Sequence, residues 1–409
     1  MPGFNPPQRR HDIDALRALA FGLLILYHLS MVYVQDWGFH IKSSYLAEWL
    51  QWPMLLVNRW RMDLIFLISG MSTTMLLQKL QARQALGMDS RFFRQRSVRL
   101  ILPLLFGMAV VVPVQPYCQG VMNGLVEPGF WQFIVHYYSG YHWPAKAFDG
   151  WEHGFTWNHL WYLVYLWLYT SVLLLGRQAA RIPALGAIAV RCRQAFLGLR
   201  GWRLIMVPAT LIFIWVAALQ MRFPENHALT HDWYAHAIYF TMFIFGWWLG
   251  SDTAIWTELA RLRKPALVSA LILFAAYKAG GELLVEYPPI WQLWAIWGIR
   301  ALFTWSMLCA VLGWGHALLN RPFRWLPWAN QAVYPWYILH QSLIILLAYW
   351  LIPLKLGGAL EALLVGAGTV LGCWAISSGL VARVGFLRAC FGMKPQEKIR
   401  ATHLSELKI

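Results

Sequence analysis

Long apolar runs alternate with short polar segments along the whole chain of 409 residues. A helix needs about 20 mainly apolar residues to cross a hydrocarbon core of about 30 Å. Runs of roughly this length lie at 13–34, 62–79, 98–116, 157–176, 203–221, 233–250, 265–283, 297–318, 330–352 and 358–382. A transmembrane β-barrel would instead show alternating segments of about ten residues. The pattern predicts an all-α bundle of about ten transmembrane helices, forming one integral-membrane domain over 1–409.

The charged residues agree with this prediction and orient the bundle. Only 13% of the residues are charged, against about 25% in an average soluble domain. The formal net charge is +16, and most of the 34 Lys and Arg residues lie before the first run, in every second loop and after the last run. Cytoplasmic loops are enriched in Lys and Arg, so both termini are predicted to be cytoplasmic. Because topology accounts for most of the charge, we expect no nucleic-acid partner.

The segments outside the apolar runs give two further predictions. The longest of them, 117–156, is rich in Trp, Tyr, His and Gly, and should form an ordered loop on the outer face. The segment 383–409 should be a cytoplasmic tail. The five cysteines show neither a CxxC pair nor a Cys/His ligand spacing, so we expect no metal site.

The first run carries two ionisable residues, Arg17 and His28. They are eleven positions apart, which at 100° per residue places both on one helix face. If the membrane begins near Ile13, His28 lies roughly 22 Å deep, nearer the outer surface. Ionisable residues inside a span are costly and often functional. The alternative is an interfacial anchor for Arg17 and a bundle-facing hydrogen-bond role for His28.

The second run places Asp63 near its outer end, at the depth of His28. A carboxylate there would orient the imidazole and raise its basicity. The alternative is that Asp63 caps its helix or pairs with Arg59 or Arg61.

Three further groups stand out along the chain. Arg96 and Arg99 share a helix face at the inner end of the third run, where guanidinium groups suit phosphate binding, although the positive-inside bias explains them equally well. His159 and Trp161 open the fourth run at the outer surface, as site residues or as part of an aromatic belt. His340 is about 15 Å deep in the ninth run and either lines a cavity or serves as a buried hydrogen-bond partner.

Together these residues form a pattern that resembles the membrane acyltransferase 3 family. The matching motifs are Arg17 followed after ten residues by His28, Arg96-Ser97-Val98-Arg99, Asp-Leu-x-Phe-x-x-Ser-Gly from Asp63 to Gly70, His159-Leu160-Trp161-Tyr162-Leu163, and His340. Each motif is weak alone, but five in order along ten spans are specific. Within the family, the chain is most similar to members regarded as succinylating periplasmic glucans.

The resemblance implies an O-acyltransferase of the bacterial cytoplasmic (inner) membrane. It would move an acyl group from cytoplasmic acyl-CoA, a co-substrate rather than a tightly bound cofactor, to a sugar hydroxyl of an osmoregulated periplasmic glucan. The donor would be succinyl-CoA or acetyl-CoA. Two alternatives remain open: an O-acetyltransferase of another envelope glycan such as lipopolysaccharide, and a transporter of anionic solutes. The chain shows no half-to-half repeat of the kind many transporters have.

The resemblance also implies roles for the candidate residues. His28 would be the general base or, as an alternative, a transient acyl carrier, and Asp63 would orient it. The remaining roles are phosphate binding by Arg17, Arg96 and Arg99, sugar binding by His159 and Trp161, and binding of a succinyl carboxylate by His340 and Arg61.

Overall fold

The computed structural model describes residues 9–82 and 87–394. These residues form fourteen α-helices, and the described part of the chain contains no strand. The helices are α1 (His11–Tyr33), α2 (Gln51–Gln81), α3 (Met88–Phe106), α4 (Val114–Met122), α5 (Phe130–Tyr138), α6 (Trp161–Ala179), α7 (Pro183–Leu197), α8 (Trp202–Leu219), α9 (Trp233–Leu249), α10 (Ala254–Glu282), α11 (Ile290–Leu319), α12 (Leu326–Leu351), α13 (Gly358–Ala375) and α14 (Gly385–Cys390). The all-α prediction is therefore confirmed.

Each predicted span coincides with a helix or with consecutive helical segments. Seven helical stretches of the described chain are both long and apolar enough to cross a membrane: His11–Tyr33, Met88–Met122, Asn158–Ala179, Trp202–Leu219, Ile290–Leu319, Leu326–Leu354 and Gly358–Val381. The protein is thus a multi-pass membrane protein. Helices α2, α9 and α10 are the other three predicted spans, so the count of ten stays a prediction, as does the side on which each terminus lies.

Several helices begin earlier than the apolar runs that predicted them. Helix α2 begins at Gln51 rather than near residue 62, and α10 begins at Ala254 rather than near 265. In both cases the early turns carry charged side chains, including Arg59 in α2 and Arg261 in α10. A charged side chain lowers the hydropathy of a segment without preventing helix formation, because Arg has a good helix propensity.

Glycine residues allow the two helices α2 and α9 to touch through their backbones. A Cβ atom at Gly70 of α2 would fall on the carbonyl oxygen of Phe243, and one at Gly246 of α9 would fall on that of Leu67. Helix association in lipid depends on such close van der Waals packing, because lipid tails provide no hydrophobic drive between helices. The contact fixes the position of α2, which carries Asp63 and Arg61.

The segment 117–156 is ordered and partly helical. It includes the end of α4, the whole of α5, and a small buried cluster formed by Phe133, Tyr137, Trp143, Ala147 and Phe148. Asp149 attaches this segment to the bundle through His40, whose Nδ1 lies 3.0 Å from the carboxylate. This hydrogen bond lowers the pKa of Asp149 and keeps the carboxylate ionised.

The first part of the predicted tail is also packed. Helix α14 contacts α3, and Phe391 is buried against Phe106, with ring centroids 5.4 Å apart. The rest of the predicted tail, 395–409, lies outside the described residues.

The glycine contact yields a stability prediction. Gly246→Ala should lower the free energy of unfolding by about 1–3 kcal/mol or more, because the new methyl group meets a backbone carbonyl that cannot rotate away. Thermal unfolding of the detergent-purified protein measures the effect. Gly22→Ala in α1 is the matched control, since a Cβ there meets nothing within 4 Å. Equal melting temperatures for the two variants would contradict the prediction.

Candidate active site

A cavity of about 310 Å³ lies at one end of the bundle. We call this end the cavity end. The C-terminal part of α1, the N-terminal half of α2, the N-terminal parts of α6 and α9, and the middle parts of α8, α11 and α12 surround it. Its lining contains an unusual density of polar side chains for a membrane protein: His28, Asn58, Arg59, Arg61, Asp63, His159, Glu225, His227, Tyr234, Tyr239, Arg300 and Thr304. Polar groups at this depth are expected to serve substrates or one another.

His28 is held by a second histidine. Its Nδ1 lies 2.8 Å from Nε2 of His340 in α12, and the two rings stack with centroids 5.1 Å apart. The Nδ1 of His340 lies 2.7 Å from the carbonyl oxygen of Tyr337 and 3.0 Å from that of Trp336. A carbonyl oxygen only accepts, so His340 carries its proton on Nδ1.

This arrangement fixes the proton positions on both rings. A neutral imidazole that donates from Nδ1 accepts at Nε2. His340 Nε2 therefore accepts a hydrogen bond from Nδ1–H of His28. The remaining nitrogen of His28, Nε2, is then unprotonated on a ring that lines the cavity. An imidazole held in this tautomer is set up to take a proton from a bound molecule.

The structure does not place Asp63 and His340 as their roles predicted from the sequence require. Asp63 lines the cavity near His28, but the hydrogen-bonding partner of His28 is His340. His340 also has both ring nitrogens engaged and its side chain fully buried. It therefore has no nitrogen left to bind a substrate carboxylate, and its position is that of a residue that orients His28.

His159 is likewise occupied by protein partners. Its Nε2 donates to the carbonyl oxygen of Ile338 at 3.1 Å, and its Nδ1 accepts from the amide of Gln115 at 3.2 Å. The ring lines the cavity, but its nitrogens hold α6 to α12 and α4. This matches a structural histidine more closely than a sugar ligand.

Arg61 lines the cavity and lies against a neighbouring aromatic ring. Its guanidinium stacks on the Tyr27 ring, with Cζ 3.5 Å from the ring centroid. Its Nε and Nη1 are buried and find no hydrogen-bond partner within the described residues. Arg59 and Arg300 line the same cavity, and Arg300 donates to Gln220 at 2.5 Å. Three guanidinium groups around one cavity fit an anionic ligand, because they form strong charge-assisted hydrogen bonds with anions.

The sequence did not lead us to expect that the short connection between α8 and α9 is part of the site. It carries Glu225 and His227, which both line the cavity. The Glu225 carboxylate accepts from Tyr239 at 2.6 Å and lies 3.0 Å from His227 Nε2. Burial alone would raise the pKa of Glu225, but His227, Tyr239 and Arg61 together lower it, so the carboxylate is ionised. The signal available in the sequence was the run of polar residues in this loop.

The predicted phosphate-binding arginines lie away from the cavity. Arg17 donates to Ser72 at 2.6 Å and pairs with Asp14 at 3.4 Å. The side chains of Arg17, Arg96 and Arg99 lie close enough to interact electrostatically with one another and with Tyr334. The structure therefore gathers them at one place, which we call the arginine end. His28 lies eleven positions after Arg17 along the continuous helix α1, a rise of about 17 Å.

Tyr162 of α6 connects the two ends. It lines the cavity, and its hydroxyl lies 2.6 Å from that of Ser69 in α2. Its hydroxyl also lies close enough to interact electrostatically with Arg17 and Arg96. A ligand that reached from the arginine end to His28 would pass this side chain.

The sequence that forms this bundle matches a known protein family. The model of the acyltransferase 3 family, described as an acyltransferase domain, matches residues 10–378. The chain belongs to this family, and the sequence-based resemblance is confirmed.

Curated relatives extend over nearly the full length. Proteins named glucans biosynthesis protein C from Salmonella paratyphi A, Salmonella agona (strain SL483) and Salmonella heidelberg (strain SL476) are each 22% identical to the chain. The similarity covers 96% of this chain and 97% of each relative. No solved structure matches the chain.

Proposed function

We propose that the protein transfers a succinyl group from succinyl-CoA to a sugar hydroxyl of a periplasmic glucan, in the bacterial cytoplasmic membrane. The observation that carries the proposal is the His340–His28 pair, which leaves an unprotonated Nε2 on a ring facing a polar cavity. Family membership supports an acyltransferase. The name of the relatives supports a glucan as acceptor.

His28 is the general base of the proposed reaction. Its Nε2 takes the proton of the acceptor hydroxyl while the hydroxyl oxygen attacks the thioester carbonyl carbon. The tetrahedral intermediate then collapses, the C–S bond breaks, and the coenzyme A thiolate takes the proton from Nε2. The products are the sugar ester and free coenzyme A. His28 is positively charged between these steps, and Asp63 lies in the lining of the same cavity.

The donor in this proposal extends through the bundle. Arg17, Arg96 and Arg99 bind the nucleotide phosphates at the arginine end, since guanidinium groups form strong charge-assisted hydrogen bonds with phosphate. The extended pantetheine arm passes Tyr162 and carries the thioester toward His28. The separation of about 17 Å along α1 requires a donor with a long arm.

The cavity arginines support a succinyl rather than an acetyl group. A succinyl group ends in a carboxylate, and Arg59, Arg61 and Arg300 line the cavity with guanidinium groups that suit charge-assisted hydrogen bonds to a carboxylate. An acetyl group has no charge to pair with these groups. The same argument weighs against acetylation of lipopolysaccharide as the reaction. An anionic-solute transporter would also use arginines, but it would not require a fixed base.

We expect His28→Ala to lower glucan succinylation by a factor of about 10²–10⁴, because the general base is lost. His340→Ala should cause a smaller loss, since His28 remains but its tautomer is no longer fixed. Mass spectrometry of purified periplasmic glucan measures the succinyl mass shift. His153→Ala, an exposed histidine of the outer segment, is the control. Full succinylation by a normally expressed His28→Ala protein would refute the catalytic role.

The double variant Arg96→Ala/Arg99→Ala should bind succinyl-CoA about tenfold to a hundredfold more weakly, because charge-assisted hydrogen bonds are removed. Isothermal titration calorimetry on the detergent-purified protein measures the change. Arg91→Ala/Arg94→Ala removes the same charge from exposed positions of the same helix and should bind normally. If both double variants bind succinyl-CoA with the same affinity, the four arginines serve only to orient the protein in the membrane.

Arg61→Gln should lower the preference for succinyl-CoA over acetyl-CoA by about tenfold or more, because the charged partner of the terminal carboxylate is lost. The ratio of kcat/KM for the two donors reports the change, and it is insensitive to the amount of folded protein. Arg321→Gln, on an exposed loop, is the control. An unchanged ratio would mean that Arg61 does not contact the acyl group.

A further inference from the structure

The loop between α8 and α9 holds a histidine in an unfavourable backbone conformation. His227 has a φ of 57°, in the left-handed region that only a few per cent of non-glycine residues adopt, Asn, Asp and His more often than the rest. Backbone strain of this kind persists only where surrounding contacts hold it, and it is common at ligand-binding positions. Contacts around the loop must therefore hold His227 in this conformation.

Asp232 holds the loop in place. Its side chain is fully buried. Its Oδ2 accepts from the Tyr165 hydroxyl at 2.7 Å and from the backbone N–H of His227 at 3.0 Å, and its Oδ1 accepts from the backbone N–H of Asn226 at 3.4 Å. These bonds join the turn to the N-terminus of α9 and to the N-terminal part of α6.

The turn places His227 among the residues that line the cavity. The ring stacks on Trp161 with centroids 4.1 Å apart and planes 18° from parallel. Trp161 is only 8% exposed, whereas the His227 side chain is 41% exposed. An incoming molecule therefore meets the free face of His227, and Trp161 supports that ring from behind.

Glu225 stands beside this aromatic surface. Its position is fixed by the Tyr239 hydroxyl and by His227 Nε2, and its side chain is 36% exposed. An ionised carboxylate accepts up to four hydrogen bonds, so acceptor sites remain for hydroxyl groups of a ligand. A flat aromatic ring next to a fixed carboxylate matches a pyranose, which has a face of C–H groups and a rim of hydroxyls.

We propose that His227, supported by Trp161, and Glu225 form the subsite that binds the sugar ring carrying the acylated hydroxyl. The proposal rests on the proposed function and assigns its acceptor site. In this arrangement the C–H face of the sugar lies on His227, and Glu225 accepts hydrogen bonds from the hydroxyls next to the one that enters the cavity toward His28. Asp232 and Tyr165 are positioning residues for the loop.

The test measures glucan binding without any donor. A linear oligosaccharide of glucose is titrated into the detergent-purified protein in a calorimeter. His227→Asn keeps a residue type that tolerates positive φ but removes the ring, and should weaken binding about tenfold. Glu225→Gln should also weaken oligosaccharide binding about tenfold, because the negative charge that strengthens the hydrogen bonds is lost. His231→Asn, in the same loop and exposed, should bind like the wild-type protein, and succinyl-CoA should bind all of these proteins equally.

Three results would overturn the proposal. One is wild-type affinity for the oligosaccharide in both His227→Asn and Glu225→Gln, which is the result a purely structural role of the loop predicts. Another is an absence of oligosaccharide binding by the wild-type protein. The third is an equal loss of oligosaccharide affinity in the His231→Asn control. The proposed function fails separately, if the wild-type protein binds the oligosaccharide but does not acylate it from succinyl-CoA.

Discussion

The hydrogen bond from His340 Nδ1 to the backbone of its own helix is the interaction on which the active-site chemistry depends. Backbone carbonyl oxygens cannot donate, so this bond sets the proton position on His340 and, through Nε2, that on His28. A carboxylate at the place of His340 would also accept from His28, but it would carry a full negative charge into the bundle. A neutral imidazole orients the base without that desolvation cost.

The bundle separates two kinds of electrostatic environment. Guanidinium groups gather at one end of α1, whereas the other end combines neutral imidazoles with acids and arginines around a cavity. Glycine contacts between α2 and α9 hold the second environment together, since α2 contributes Arg59, Arg61 and Asp63 while α9 starts at the loop with Glu225. The residues of the cavity therefore depend on backbone packing far from any charge.

Much of this molecule could be predicted from its sequence, for identifiable reasons. Apolar runs mark helices because lipid permits few alternatives, and the helical period placed Arg17 and His28 on one face. The predicted first residues of helices were less accurate where charged residues such as Arg59 interrupt the apolar pattern. The pairing of His28 with His340 was not predictable, because 312 positions separate them. Glu225, His227 and Arg300 were missed for the same reason: their importance depends on which helices meet.

The loop between α8 and α9 is tied down by contacts of its own, through Asp232 and Tyr165, whereas the His28–His340 pair depends on α1 and α12. The two sets share no hydrogen bond within the described residues. Substitutions in the loop can therefore accumulate during evolution without disturbing the protonation of the base. A scaffold built in this way can acquire new acceptors by changing one short connection, which makes the same loop a practical starting point for engineering.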